Sequence, residues 1–514
     1  SWVIRKAGWF ALAMTAAAFA LRVYYAISCY LNPQEAHHFL AARTPQTLHG
    51  AYEAVRSLDI PSLSVLALHW VTLFGRTELV LRMPGLLSAS LALWFAFAWM
   101  RRILGELPAL GGLLFLAVSQ SAITAAAQIE QFGLLVLFVC AALYATERAF
   151  DQASSRWAIV QGLLLACALL THYVAILVVV ALGLYVLIRC RVGRAPRELR
   201  ITFLAIQAGL ALEAAFLYFH FVRHSRTLAN MSSSFYHRGA ESLFDYWWMS
   251  MCRTFTFLIG FGNTWSHKIA ILMFCIFAAG VAALLVGRVK EGRINALLIV
   301  SPFVIGFAGA LLRLAPFAGT RLQAYLLPFF AAGLGAALKW VPRGRAVFVL
   351  LLATVCATVW AATNKVDHVS HASDIDPRVF PISDMSAALD YISQSVPPGA
   401  PLFVDEETRD ELSYYLGRND RSLSGFDRNI GHDEVLKGHR IISSSGGSWS
   451  FDLDHPLAQA SKAAEEQGVP ARTPIWIVSV LWPYQEPLSV HIPAESIRNG
   501  RTFGAISVMQ TELE

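Results

Sequence analysis

Apolar runs of about twenty residues recur along this chain, and they restrict its fold more than any other feature. A run of that length matches the hydrocarbon thickness of a bilayer when it is wound as an α-helix. Such runs lie near 8–28, 80–100, 107–124, 131–147, 157–172, 174–190, 201–222, 268–287, 294–313, 321–339 and 346–363. The sequence therefore predicts a polytopic α-helical membrane protein with about eleven spans. The apolar stretches 60–74 and 243–262 are read as juxtamembrane helices, and the count rises to twelve or thirteen if they also cross.

Composition agrees. Of 514 residues, 56% are hydrophobic and 15% charged, against about 25% charged in a typical soluble domain. Fourteen Trp and fifteen Tyr suit many interfacial anchors. The net charge of +6 fits basic cytoplasmic loops and implies no nucleic-acid partner. Seven scattered cysteines without a CxxC pair give no disulfide framework and no thiolate metal site. The first apolar run is longer than a signal-peptide core and is read as a retained span.

Lys and Arg set the expected orientation. Arg101 and Arg102, "ERAFDQASSRW" (147–157), "RCRVGRAPRELR" (189–200), "GRVKEGR" (287–293) and "KWVPRGR" (339–345) all fall on one side if the N-terminus is cytoplasmic. Residues 30–79, 125–130, 172–173, 223–267, 313–320 and everything after 364 then lie outside. Near Asn364 the chain turns polar, with alternating β-rich and helical stretches such as "PIWIVSVLW" and "HPLAQASKAAEEQG". Two domains are expected: a transmembrane domain over 1–363, including a first outer loop at 29–79, and an extramembrane α/β domain over 364–514.

Several segments together resemble the GT-C membrane glycosyltransferases, in the branch of the protein O-mannosyltransferases and lipid A aminoarabinose transferases. They are "NPQEAHHFLAA" after the first span, "DIPSLSVLALHWVTLFGRTELVLRMPGLLSASLA", "AAQIEQFGLLVLF", "LLTHYVAIL" and "PFAGTRLQAYLLPFF". The resemblance implies an inverting transferase that moves a sugar from a polyprenyl-phosphate donor to a glycan, lipid or protein acceptor. It places the protein in the bacterial inner (cytoplasmic) membrane, among membrane lipids, with a periplasmic C-terminal domain. Departures fall at motif positions. Gln34 stands where the first-loop Asp is usual, Ile60 replaces the turn His, and Ile129 and Gln131 replace the acid and Arg of the second motif.

Sugar transfer needs a base, a stabiliser of the leaving phosphate and a cavity at the membrane surface. Glu35 is the candidate base and Glu130 a second catalytic carboxylate. The competing reading of Glu35 is a helix-start residue, since Pro33 and an acid suit an N-terminus. Arg321, Arg253, Arg223 and Lys268 are basic residues on the expected outer side and are assigned to the donor phosphate, for which guanidinium geometry is suited. Arg226 and Arg313 share that placement. Gln34, His38, Gln128, His172 and Tyr173 are assigned to the substrate cavity. Some relatives use a divalent metal, for which Glu35 and His38 are the candidate ligands. The acidic stretch "VDEETRDELSYYLG" (404–417) is read as a solvated amphipathic helix in preference to an acceptor contact. Two other classes remain. One is a non-catalytic GT-C-like subunit or lipid-binding protein. The other is a transporter or flippase, for which the sequence shows neither inverted repeats nor Gly/Pro-broken spans in matching halves.

Overall fold

The computed structural model describes residues 6–43, 62–193, 195–221, 242–260, 266–287, 290–342, 345, 381–417, 434–436, 439–443, 455–470, 473–480 and 488–512. Arg223, Arg226, Ile60, the expected span 346–363 and the expected boundary at 363/364 lie outside these residues.

The N-terminal half is helical: α1 (Ala7–Ser28), α2 (Pro33–Arg43), α3 (Ser62–Thr72), α4 (Glu78–Leu104), α5 (Glu106–Val118), α6 (Gln120–Ala127), α7 (Phe132–Asp151), α8 (Ser155–Thr171), α9 (Ala175–Val192) and α10 (Arg197–His220). It continues with α11 (Leu243–Ile259), α12 (Ser266–Val286), α13 (Lys290–Leu311), a 3-10 turn (Arg321–Leu326) and α14 (Leu327–Ala336). Every expected span up to 321–339 coincides with a helix or a pair of helices. Among the described residues eight helices are long and apolar enough to cross a membrane, or nine if α5 and α6 form one bent span. Eleven is therefore not reached: α8, with 17 residues, is short of the length, and 346–363 is not described.

The chain forms two compact units. The first contains residues 1–23, 55–64 and 82–373. Its core is aromatic where α11, α12, α13 and α14 meet. Phe255 lies 5.7 Å from Phe277, 5.8 Å from Phe303 and 5.0 Å from Phe330 between ring centroids. Helices with an all-round apolar surface have no hydrophobic drive to associate in lipid, so close backbone approach and polar contacts hold them together. At Gly280 a Cβ would collide with the carbonyl of Gly333, so α12 and α14 touch backbone to backbone there.

Buried polar side chains supply the second kind of contact. Tyr185 of α9 donates to Glu147 of α7 at 2.5 Å, and Arg189 donates to Tyr185 at 3.0 Å. Asn295 of α13 reaches the carbonyl of Ile103 at 3.4 Å.

The expected span 107–124 is a correction. It is not one straight helix: α5 and α6 meet at 61°. Ser119 between them adopts an extended conformation, φ −60° and ψ 125°. No Gly or Pro causes the break. Ser119 Oγ donates to the carbonyl of Leu258 at 2.8 Å, and Ser121 Oγ donates to that of Phe257. The open end of α5 is closed by a fully buried arginine of α1. Arg22 donates to the carbonyl of Leu116 at 2.7 Å and to that of Ala117 at 3.1 Å.

The second unit contains residues 24–54, 65–81 and 374–514. Its C-terminal part comprises α15 (Ile382–Ser395), β1 (Pro401–Val404), α16 (Glu406–Gly417), β2 (Glu434–Leu436), β3 (His439–Ser443), α17 (Pro456–Glu466), β4 (Pro474–Val480), α18 (Leu488–His491), β5 (Ile497–Phe503) and β6 (Ile506–Glu512). The six strands form one sheet in the order β2-β3-β1-β4-β6-β5. β1 runs parallel to β3 and β4, with Leu402 beside Ile441 and Trp476, and the remaining pairs are antiparallel. Side chains alternate across the sheet. Leu402, Val404, Trp476, Val478 and Val508 pack with Met385 and Ile392 of α15. Phe403, Ile442, Ile475, Ile477 and Met509 pack with Ala460, Ala463 and Ala464 of α17. Covering on both faces explains why β1 and β4 are apolar without alternation. The expected α/β character of the C-terminal region is thus present.

Candidate active site

The expected site residues fall into two groups, one in each unit. In the first unit the centre is the turn after the bent span. Residues 128–131 run from α6 into α7, and Gln128, Ile129, Glu130 and Gln131 are all buried. The turn is tight: a Cβ on Gly133 would lie 3.1 Å from the carbonyl oxygen of Ala125, and one on Gly85 would lie 3.1 Å from that of Gln128. Glu130 is the sole carboxylate between Gln120 and Gln131. Its Oε1 accepts from Arg321 Nη1 at 2.6 Å, across 191 positions of sequence.

Arg321 is held by its own segment. Gln323 Oε1 accepts from the backbone N–H of Gly319 at 2.7 Å and of Thr320 at 3.2 Å, and its amide donates to Thr254 Oγ1 at 3.1 Å. Gly319 has φ +76°, and a Cβ there would strike the carbonyl of Arg253. The Arg321 segment therefore lies directly against α11 at Arg253, whose side chain is exposed. His172 stacks on Phe132, the first residue of α7, at 5.6 Å between rings. The backbone N–H of Val174 donates to His172 Nδ1 at 3.1 Å, so the ring carries its proton on Nε2.

In the second unit the centre is α2. Asn32 and Glu35 bond reciprocally. The backbone N–H of Glu35 donates to Asn32 Oδ1 at 2.9 Å, and that of Asn32 donates to Glu35 Oε2 at 3.1 Å. This is a capping box with Pro33 at the first helical position. Glu35 is fully buried, while Gln34 beside it is exposed.

α2 packs on α16. His37 Nδ1 lies 2.8 Å from Asp410 Oδ2, and Phe39 meets the ring of Tyr414 edge to face at 5.1 Å. The acidic stretch 404–417 is consequently not a solvated helix: Asp405, Thr408, Asp410, Glu411 and Tyr414 are buried. Asp405 accepts from the N–H of Thr408 at 2.7 Å and so caps α16. Tyr30, in the short link between α1 and α2, packs with the sheet's α15 face, and the backbone N–H of Leu31 donates to Tyr415 Oη at 2.8 Å. Burial, and then the nearby Glu411, push the Tyr30 phenol well above its ordinary range.

The family profile of the dolichyl-phosphate-mannose-protein mannosyltransferases matches residues 61–219. Among solved structures the chain resembles ArnT from Cupriavidus metallidurans bound to undecaprenyl phosphate. The TM-score is 0.56 and the identity 14%, over 98% of this chain and 98% of that one. The chain has the GT-C fold. The apo form of the same ArnT matches at TM-score 0.55 and 15% identity, with 98% of each chain covered. The archaeal oligosaccharyltransferase AglB from Archaeoglobus fulgidus, in complex with an inhibitory peptide and a dolichol-phosphate, matches at TM-score 0.52 and 12% identity, over 99% of this chain and 74% of that one. No curated protein matches the sequence.

The expected site residues are distributed over both units. Glu130, Arg321, Arg253, Gln128, His172 and Tyr173 belong to the first unit, and Glu35, Gln34 and His38 to the second. Arg321 is paired with Glu130, and Arg253 borders the same segment. Lys268 is exposed near the start of α12, and Arg313 is exposed with φ 56°. A divalent metal held by Glu35 and His38 finds no support in the donor set. Among the described residues no group of three or more His, Cys, Asp or Glu side chains is placed to hold an ion. Sequence reasoning missed Arg22, although an arginine inside an apolar span is itself a signal. It also missed Gln323 and Asp410, whose partners are remote in sequence.

Proposed function

We propose that this GT-C protein transfers a sugar from a polyprenyl-phosphate donor to an acceptor hydroxyl on the outer face of a bacterial cytoplasmic membrane. The acceptor oxygen attacks the anomeric carbon and the bond from that carbon to the phosphate oxygen breaks. The anomeric configuration inverts, polyprenyl phosphate departs, and a carboxylate takes the acceptor proton. One observation carries the reading. Two segments singled out by the family resemblance meet in the Glu130–Arg321 ion pair. In that pair Glu130 fixes a guanidinium whose fork suits a phosphate. Arg253 lines the same segment and adds positive charge for the leaving group, as do Lys268 and Arg223 in this reading. Glu35 is the base, with Gln34, His38, His172 and Tyr173 around the substrate, and residues 364–514 form the outer domain. The ArnT bound to undecaprenyl phosphate and the AglB in complex with a dolichol-phosphate support a lipid-phosphate ligand for this fold.

The Asn32–Glu35 capping box favours a second reading, in which Glu35 only starts a helix and the chain is a non-catalytic lipid-binding relative. Glu35→Gln separates the two, because glutamine also serves at this position of a capping box but takes no proton. With purified protein and a polyprenyl-phosphate hexose, the variant is expected to keep its stability and donor affinity while turnover falls by about 10²–10⁴-fold. Undiminished turnover removes Glu35 as the base. Absence of turnover in wild type despite lipid binding supports the second reading.

A further inference from the structure

The turn that carries Glu130 holds two carboxamides that the reaction above does not use. Gln128 is 1% exposed, and neither its Oε1 nor its Nε2 has a hydrogen-bond partner among the described residues. Gln131 Oε1 is also buried without a partner there. Leaving such a group unpaired costs about 1–3 kcal/mol, and three such atoms fall within residues 128–131.

Their chemistry is specific. Gln128 presents one acceptor and one donor group and Gln131 an acceptor. Hydroxyls both donate and accept, so a hydroxyl-rich ring complements this set. An ammonium does not, because it needs a carboxylate when desolvated. The sole carboxylate of the turn is committed to Arg321.

We propose that Gln128 and Gln131 form a subsite for the hydroxyls of an uncharged sugar, so that the substrate is a neutral sugar and not an amino sugar. This rests on the transferase reading and names its substrate class. Donor and acceptor sugars share the chemistry, and the test separates them.

Binding is measured to undecaprenyl phosphate alone, to the same lipid carrying a neutral hexose, and to that lipid carrying an amino sugar. Wild type is expected to favour the hexose-bearing lipid over the bare lipid and over the amino-sugar lipid. Gln128→Leu keeps the approximate size and removes the polar atoms. It is expected to weaken the hexose-bearing lipid about tenfold, to leave the bare lipid unchanged, and to leave thermal stability equal or higher, since an unpaired buried amide is gone. If the loss appears instead in the KM of a neutral glycan acceptor, the subsite belongs to the acceptor sugar. Unchanged donor affinity together with unchanged acceptor KM overturns the proposal, as does a wild-type preference for the amino sugar. These readouts differ from that of the transferase reading. A protein that binds the neutral sugar through Gln128 without turnover loses the reaction and keeps the subsite.

Discussion

Arg22 is the residue whose replacement tests the architecture most directly. It sits within an apolar span, is 1% exposed, and gives three hydrogen bonds: 3.0 Å to Ala18, 3.1 Å to Ala117 and 2.7 Å to Leu116. The first oxygen belongs to Arg22's own helix and retains its ladder bond, so losing it matters little. The other two end α5, and the last carbonyls of a helix have no partner within it. In hydrocarbon, water does not replace them. Arg22→Met strands both, at about 1–3 kcal/mol each. Against this stands the desolvation of the guanidinium, itself several kcal/mol, which methionine removes. The cation also faces the negative end of α5, a favourable placement worth up to about 2 kcal/mol when partly buried. The balance predicts a net loss of roughly 2–4 kcal/mol for Arg22→Met. Arg22→Lys falls between, because one ammonium keeps the charge but not the fork that spans two carbonyls. Apparent Tm in detergent at a fixed scan rate should therefore rank wild type, then Lys, then Met. A methionine variant as stable as wild type, or more stable than the lysine variant, shows that desolvation dominates and that the capping argument is wrong.

Two smaller perturbations follow from single observations. Gly319→Ala places a Cβ on the Arg253 carbonyl at a φ of +76°, so it should lower stability by about 1–3 kcal/mol and weaken lipid-phosphate binding through Arg321; an unchanged Tm and affinity contradict the placement of that turn. Tyr30 has a folded-state pKa raised by burial, so its contribution is complete below the unfolded value of about 10 and is lost as pH rises above it. The alkaline limb of thermal stability should accordingly be shallower in Tyr30→Phe than in wild type, and identical limbs refute the assignment.

What was legible in the sequence follows the range of the interaction concerned. Span positions depend on local apolar length and are visible up to 321–339. The start of α2 depends on four adjacent residues, Asn32 to Glu35, and is equally visible. The 61° bend at Ser119 is not, because the atoms that hold it come from Arg22 and Leu258, far along the chain in either direction. The acidic stretch 404–417 fails for the same reason. Its composition reads as solvated, yet its buried face is met by α2, some 370 residues earlier, through His37 and Asp410. Glu130 and Arg321 were each visible through motif position, but their ion pair was not, since charge patterning reports a partner only within one helix turn. The two readings of Glu35 have the same origin. A cap is a local property and needs only Asn32, whereas a base is defined by a substrate hydroxyl that no sequence window contains. The two roles make the same demand on residue type except for the proton, and substitution by glutamine removes only that.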